Sequence, residues 1–393
     1  MIGINQGVPQ RIKLTAKVEL PLHGISINGV GPTLDAKVKF LSRPDAYGPT
    51  LGAVVCRETH MSWVFLVGDR VYKLKKPVRF PYLDFSSLAR REAACRAELR
   101  LNRALAPDIY LDVLPLVDTG KGLSIGGVGV PVDWVVIMKR LDENDMLDCL
   151  IAEQRVDVVK LDRLVAALAQ FYRRATPVLL SPAIHLIDWK RSLAYNRRIL
   201  LDPRFSIPAG LVQRIDHAQR RFLDRRSGLI ASRLRHRRIV SGHGDLRPEH
   251  IWLGDEVRII DCLEFNPRLR VVDPFDEVAY LSLECERLGA AWVGAFIEHS
   301  MKRLLRDGPA EELFTFYRCH RATLRARLAI AHLLEEHPRT PEKWPRLARA
   351  YLKLAEASAR KLDVFLKTPS GRSSCVPRAG GGLSRRAGGR RAG

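Results

Sequence analysis

The sequence predicts an α+β chain in two parts, a small antiparallel-sheet lobe followed by a mostly helical one. Two observations carry this. Between Val54 and Met138, β-prone runs alternate with turn signals around a single helical stretch. From Val158 to Leu366, apolar residues recur at helical spacing, interrupted by one strand–loop–hairpin stretch at 239–265. The length of 393 residues, 46% hydrophobic and 27% charged, suits a two-lobed globular unit. No run of about 18 apolar residues occurs, so no membrane span is expected. The opening MIGINQGVPQRIKL has no apolar signal region, and the seven cysteines form no C-x-x-C pair. Both features fit reduced thiols and a cytoplasmic location.

Residues 1–36, with many Gly and Pro, read as an extension, and 37–141 as the first lobe. Phe40-Leu41, then Arg43 to Tyr47, read as a short helix and a turn into that lobe. Val54 to Lys75 reads as strand, turn, strand: Trp63-Val64-Phe65-Leu66-Val67 is β-prone, Gly68-Asp69 marks a turn, and Val71 to Lys75 follows. Lys73 and Lys75 alternate with apolar residues and so share a face. Leu88 to Leu105 is helical by pattern, with Ser86 or Ser87 as cap. Ile109–Val117 and Val132–Met138 read as the strands that close the sheet. Residues 142–367 form the helical part, with helical segments at 158–175, 209–227, 274–304, 311–336 and 342–366. Residues 368–393 are Gly, Arg and Ser without periodicity or acids, and are expected to be a disordered basic tail.

The stretch IVSGHGDLRPEHIWLGDEVRIIDCLEF holds the chemistry. An apolar strand delivers His243-Gly244-Asp245, a polar turn with Pro248 and His250 follows, and a hairpin turning at Gly254-Asp255 delivers Asp261. Two acids at the ends of neighbouring strands suit phosphoryl transfer. One accepts the proton of an attacking hydroxyl, and the other holds magnesium against phosphates.

The H-x-D, four residues, Asn, hairpin, Asp pattern resembles that of aminoglycoside phosphotransferases and choline kinases, a group with a protein-kinase-like two-lobed fold. Glu58-Thr59-His60-Met61-Ser62-Trp63-Val64-Phe65-Leu66 and Tyr72-Lys73-Leu74-Lys75-Lys76-Pro77 resemble a bacterial branch often fused to a P-loop ATP-binding domain. The P-loop fingerprint G-x-x-x-x-G-K-[ST] does not occur here. The resemblance implies ATP and Mg2+ as cofactors, with Asp245 as catalytic base and Asp261 as magnesium ligand. His250 stands where the group has Asn, so the metal either accepts an imidazole or relies on Asp261. It implies Lys73 at the phosphates, with Lys75 in reserve, paired to Glu98 rather than Glu92. A glycine-rich phosphate loop is absent; the turn entering the Trp63 strand carries Thr59, His60 and Ser62 instead, read equally as a cover for phosphates or as a plain loop. His243, Asp273 and Asp276 read as supports, with Asp276 bracing the catalytic loop. Arg247 reads first as a solvated charge and second as a phosphate or substrate contact; Glu264 reads equally as a surface residue or as a contributor to the metal through water; a solvated edge face also fits Lys75.

The expected activity is phosphate transfer from ATP to a hydroxyl of a small molecule. The alternative is a nucleotide-binding pseudokinase, motivated by His250 and the missing glycine loop. A protein kinase is disfavoured by Gly-Asp in place of Arg-Asp. The net charge is +22, of which seven positive charges lie from Lys367 onward. A basic field attracts anions, but no aromatic-interleaved basic patch marks a nucleic-acid partner. A neutral or anionic acceptor is expected rather than a polycation, and no membrane partner.

Overall fold

The computed structural model describes residues 31–48, 52–80, 82–334 and 340–367. The expected extension up to residue 30 and the tail from 368 lie outside the described residues. Helix α1 (Leu34–Leu41) opens inside the stretch read as extension, capped by Thr33, whose Oγ1 accepts from the Ala36 amide at 3.2 Å.

The first lobe comprises β1 (Val54–Glu58), β2 (Ser62–Val67), β3 (Arg70–Lys75), β4 (Arg79–Phe80), β5 (Leu83–Asp84), α2 (Leu88–Asn102), β6 (Tyr110–Asp118), β7 (Leu123–Ile125) and β8 (Val130–Lys139). Six of these strands form one antiparallel sheet in the order β1-β2-β3-β8-β6-β7. Strand alternation sends side chains to two faces, and both are buried. Val64, Leu66, Val71, Val113 and Val136 pack with Cys95 of α2, while Phe65, Val67, Leu74 and Val135 pack with Leu41 of α1. A helix therefore covers each face, which explains why these strands read as near-continuous apolar runs. Ser87 caps α2 through the Arg90 amide.

The helical lobe contains α3 (Leu147–Ala152), α4 (Val158–Arg174), α5 (Pro182–Leu200), α6 (Ala209–Arg235), β9 (Val240–Ser241), β10 (Ile251–Leu253), β11 (Val257–Ile259), β12 (Val271–Val272), α7 (Pro274–Arg287), α8 (Ala291–Leu305), α9 (Glu311–Ala331) and α10 (Lys343–Lys367). One large apolar core joins these helices, with Phe222, Phe275, Phe316 and Tyr351 among its fully buried rings. Among the described residues no helix is long and apolar enough to cross a membrane.

Three sequence expectations change. Helix α5 was not foreseen, because its inward positions include polar Ser192 and Asn196 while Ile184 and Ile187 face out, which blurs the apolar stripe. The segment read as one helix over 274–304 is two, since Gly289 takes a left-handed φ of 89° and ends α7. The strand before Asp245 does not neighbour the hairpin strand before Asp261. β9 pairs with β12, and β11 pairs with β10.

Candidate active site

The site lies where β3 and α2 of the first lobe meet the loops after β9 and β11. Glu98, fully buried on α2, receives two lysines from β3: Lys73 Nζ at 2.8 Å and Lys75 Nζ at 2.5 Å. Each lysine has a second acid. Lys73 reaches Asp261 Oδ1 at 3.2 Å, and Lys75 reaches Glu264 Oε1 at 2.5 Å. Burial alone would push the Glu98 carboxyl up, but the two ammonium groups hold it down at about 2. Burial would lower Lys73, and Asp261 and Glu98 instead raise it well above the ordinary lysine value. The reading of Lys75 and Glu264 as solvated charges is therefore corrected: both are buried ion-pair members. Glu92 is not in the cluster; it pairs with Arg96 on the outer face of α2.

Asp245 follows β9 in a loop fixed by buried hydrogen bonds. Glu277, fully buried in the first turn of α7, accepts from the His243 amide at 3.0 Å and from the Gly244 amide. The brace is thus Glu277 and not Asp276, which forms a bidentate pair with Arg321 of α9 instead. Asp273 caps α7, accepting from Phe275 N at 2.9 Å. His243 Nε2 donates to Ile260 O at 2.9 Å, and its Nδ1 accepts from Asp245 N at 3.2 Å. One imidazole so ties the loop after β9 to the residue preceding Asp261. Burial pushes this imidazole down to about 4, in keeping with a neutral ring.

The Asp245 carboxylate is held from two sides. Tyr280 OH of α7 donates to Oδ1 at 3.1 Å, and Arg247 Nη2 lies 2.9 Å from Oδ2. Burial would raise its pKa, yet Arg247, with His250 and Arg325 behind it, holds the carboxyl well below the usual carboxylate range. Arg247 is buried and also pairs with Glu249, so the solvated reading of this arginine is corrected as well.

His250 sits between the two acids. Its Nδ1 donates to Asp245 O at 2.8 Å, and its Nε2 accepts from Arg247 Nη2 at 3.2 Å and lies 3.7 Å from Asp261 Oδ2. Asp261 adopts a left-handed φ of 63°, a conformation that a non-glycine residue holds only when its surroundings enforce it. Its amide donates to Tyr110 OH at 3.1 Å, and its buried Oδ2 has no hydrogen-bond partner in the protein. This orphaned anionic oxygen is a hard donor that fits a divalent cation, while the imidazole lone pair beside it is engaged by Arg247. At the β1–β2 turn, Thr59 Oγ1 donates to Ser62 O and accepts from Ser62 N, each at 2.8 Å, so this hydroxyl closes its own turn. Ser62 is buried beside it.

The structure thus brings Lys73, Glu98, Asp245, His250 and Asp261 together and leaves Thr59 and Ser62 at the turn above. Glu277, Tyr280 and Tyr110 were not anticipated. The V-D-P-F-D-E-V-A-Y run does contain two of them, but spacing does not say which acid faces the loop.

This sheet, its paired helix, and the loops carrying Asp245 and Asp261 on a helical lobe together make a two-lobed, protein-kinase-like fold. No family model matches the chain. It is 31% identical over 288 residues to uncharacterised proteins of Mycobacterium tuberculosis and Mycobacterium bovis, a match that covers 72% of this chain and 56% of theirs. The chain therefore spans little more than half the length of the curated relatives it matches. Among solved structures it is similar to a choline/ethanolamine kinase family protein of Mesorhizobium loti, with 17% identity, 85% of this chain and 95% of that one covered, and a TM-score of 0.47. It is also similar to choline kinase of Cryptosporidium parvum, with 9% identity, coverage of 84% and 96%, and a TM-score of 0.48. A third similar structure is an aminoglycoside phosphotransferase of Alicyclobacillus acidocaldarius, with 13% identity, coverage of 82% and 94%, and a TM-score of 0.42.

Proposed function

We propose that the protein transfers phosphate from ATP to a hydroxyl of a small molecule, as a member of the aminoglycoside phosphotransferase and choline kinase group. The observation that carries this reading is the buried chain Glu98–Lys73–Asp261, with Asp245 joined to Asp261 through the single ring of His250. Lys73 is held by Glu98, its side chain is 13% exposed, and its ammonium would meet the nucleotide's phosphates. Arg247 reinforces it: its buried Nε has no partner, and its guanidinium lies against Asp245, where a transferring phosphoryl group meets the acceptor. Magnesium, held by Asp261 Oδ2 with His250 Nε2 beside it, would supply charge neutralisation to the phosphates.

Asp245 is a positioning acceptor before it is a base. A carboxylate held this far down is ionised throughout the working pH range and takes a proton weakly. It orients the hydroxyl through a lone pair left free by Tyr280 and Arg247, since each carboxylate oxygen carries two. Full proton transfer then comes late, as the loose transition state of phosphoryl transfer permits. The second reading, a nucleotide-binding pseudokinase, is favoured by one observation: His250 Nδ1 and Nε2 both have partners within the protein.

ATP consumption with Mg2+ or Mn2+ across sugars, amino alcohols, nucleosides and aminoglycosides separates the two readings. Asp245→Asn should lower turnover by roughly 10²–10⁴-fold while leaving nucleotide affinity within a few-fold. Nucleotide binding with no turnover on any acceptor supports the pseudokinase. Equal turnover by wild type and Asp245→Asn removes Asp245 from the mechanism.

A further inference from the structure

Helix α9 carries a buried cation that has no carboxylate partner among the described residues. Arg327 of α9 is 7% exposed. Of the other buried arginines of the lobe, Arg233 pairs with Asp273 and Asp307, Arg321 with Asp276, and Arg247 with Asp245 and Glu249, while Arg270 donates to the Leu263 carbonyl. Arg327 has no carboxylate partner among the described residues. Its guanidinium lies over the Tyr195 ring of α5 at 4.7 Å from the centroid, and its Nε has no hydrogen-bond partner. The polar groups that act on it are phenols, Tyr195 and Tyr82, and burial outweighs them, so its pKa falls where those of Arg233, Arg247 and Arg321 rise. An unpaired buried guanidinium is expensive to keep. An anion that arrives with a ligand is the ordinary reason for one.

The neighbourhood extends the argument. Ser192 Oγ lies 2.8 Å from His320 Nε2, and Tyr195 lies under Arg327, so α5 and α9 run in the same direction along a seam that faces 192–196 with 320–327. In that seam Asn196, 1% exposed, has neither its amide nitrogen nor its amide oxygen hydrogen-bonded. Tyr82, half-buried, belongs to the β4–β5 connection of the first lobe and contacts Phe265, four residues beyond Asp261. Tyr82 therefore connects the surroundings of Arg327 to the first lobe and to the segment that follows Asp261.

We propose that Arg327, with the unpartnered Asn196 amide of the facing helix α5, is the subsite for an oxyanion carried by the hydroxyl acceptor. The acceptor is then a small hydroxy compound bearing a carboxylate or a phosphate monoester, not a polycation. This rests on the reading of the cleft as a phosphotransferase site. The shared chemistry is a planar fork of N–H donors against an anionic oxygen pair, with the Asn196 amide as a neutral donor.

The test uses the full chain and inorganic phosphate as the probe. ADP binding is measured first by calorimetry; its absence counts against the proposed function and leaves the subsite still to be read. Phosphate is then titrated with ADP present, at constant ionic strength against a chloride control, following heat and the unfolding temperature. Wild type should give a saturable response. Arg327→Met should weaken it by ~10-fold or more, the loss expected for a charge-assisted contact. Without ligand, this variant should unfold at the same or a higher temperature than wild type, because an uncompensated buried charge has been removed. Arg327→Lys keeps the charge, loses the fork, and should weaken phosphate several-fold; it serves as well if the Met variant fails to fold. A succinate arm distinguishes the sources: tighter succinate assigns a carboxylate, tighter phosphate a phosphate monoester. The proposal is overturned if wild type shows no saturable response to either anion, or if both variants bind phosphate as wild type does.

Discussion

At the scale of single residues, the two lysines of β3 divide one task. Both touch Glu98, but Lys73 Nζ also touches Asp261 and its side chain is 13% exposed, whereas that of Lys75 is 1% exposed between Glu98 and Glu264. Lys73→Met should therefore weaken nucleotide binding with a small change in stability. Lys75→Met leaves two acids facing each other without their cation, and should destabilise the fold by about 3–5 kcal/mol while sparing nucleotide affinity in the folded fraction. Urea titration and calorimetry on both variants check this; the reverse assignment is established if Lys75→Met loses nucleotide at unchanged stability. The proposed metal site makes a prediction at His250. An imidazole nitrogen suits Mn2+ better than Mg2+, and Asn would restore an oxygen donor. His250→Asn should keep or raise Mg2+-supported turnover and remove nitrogen coupling from the electron-spin-echo spectrum of the Mn2+–nucleotide complex. Unaltered nitrogen coupling in the variant would show that His250 is not a ligand, and a loss of all turnover would give it another role.

At the scale of elements, α7 braces the loop that carries Asp245. Glu277 accepts from two consecutive amides, and Tyr172 OH of α4 donates to it at 2.7 Å. Burial raises the Glu277 carboxyl despite these donors. Gly242 lies against this brace: a Cβ there would collide with Glu277 Oε2 and sit 2.6 Å from Val272 Cγ2. Gly242→Ala should cost about 1–3 kcal/mol as an overpacked site and lower kcat more than it raises KM, because the displaced group is a positioning acid remote from substrate. Wild-type kinetics with reduced stability would mean that the loop geometry tolerates a shifted Glu277. The strands and the helix of the first lobe could be read from the sequence because each carries one strong period. Helix α5 could not, because Ser192 and Asn196 take inward positions that periodicity assigns to apolar residues. That Asp245 and Asp261 come close together was legible from spacing, and the Lys73–Glu98 pair from the family resemblance; the roles of these residues are proposals. The roles of Lys75, Arg247, Glu264 and Glu277 were not legible, because a charge appears solvated until the fold supplies its partner.

At the scale of the whole molecule, two neutral histidines are locked into separate cores, and this couples stability to pH. Burial lowers His243 to about 4 and His320 to about 3, with His250 and Arg321 respectively adding to the effect. In the unfolded chain both imidazoles take a proton near pH 6.5. Between about pH 6.5 and 4 the unfolded state therefore binds more protons than the folded state, and stability falls as pH falls. The contribution is complete above pH 6.5, and the slope is at most about 1.4 kcal/mol per pH unit for each ring. Glu277 works in the opposite sense, since its raised carboxyl takes up a proton in the folded state first. The histidine term is thus best read as a difference. His320→Gln keeps a polar partner for Ser192 and removes one titration. Its urea midpoint should fall less than that of wild type between pH 7.5 and 5.0, by an amount approaching one proton's linkage. Parallel midpoints across that window would show that His320 is already protonated in the folded protein, and that its ring is paired in a way this hydrogen-bond pattern does not provide.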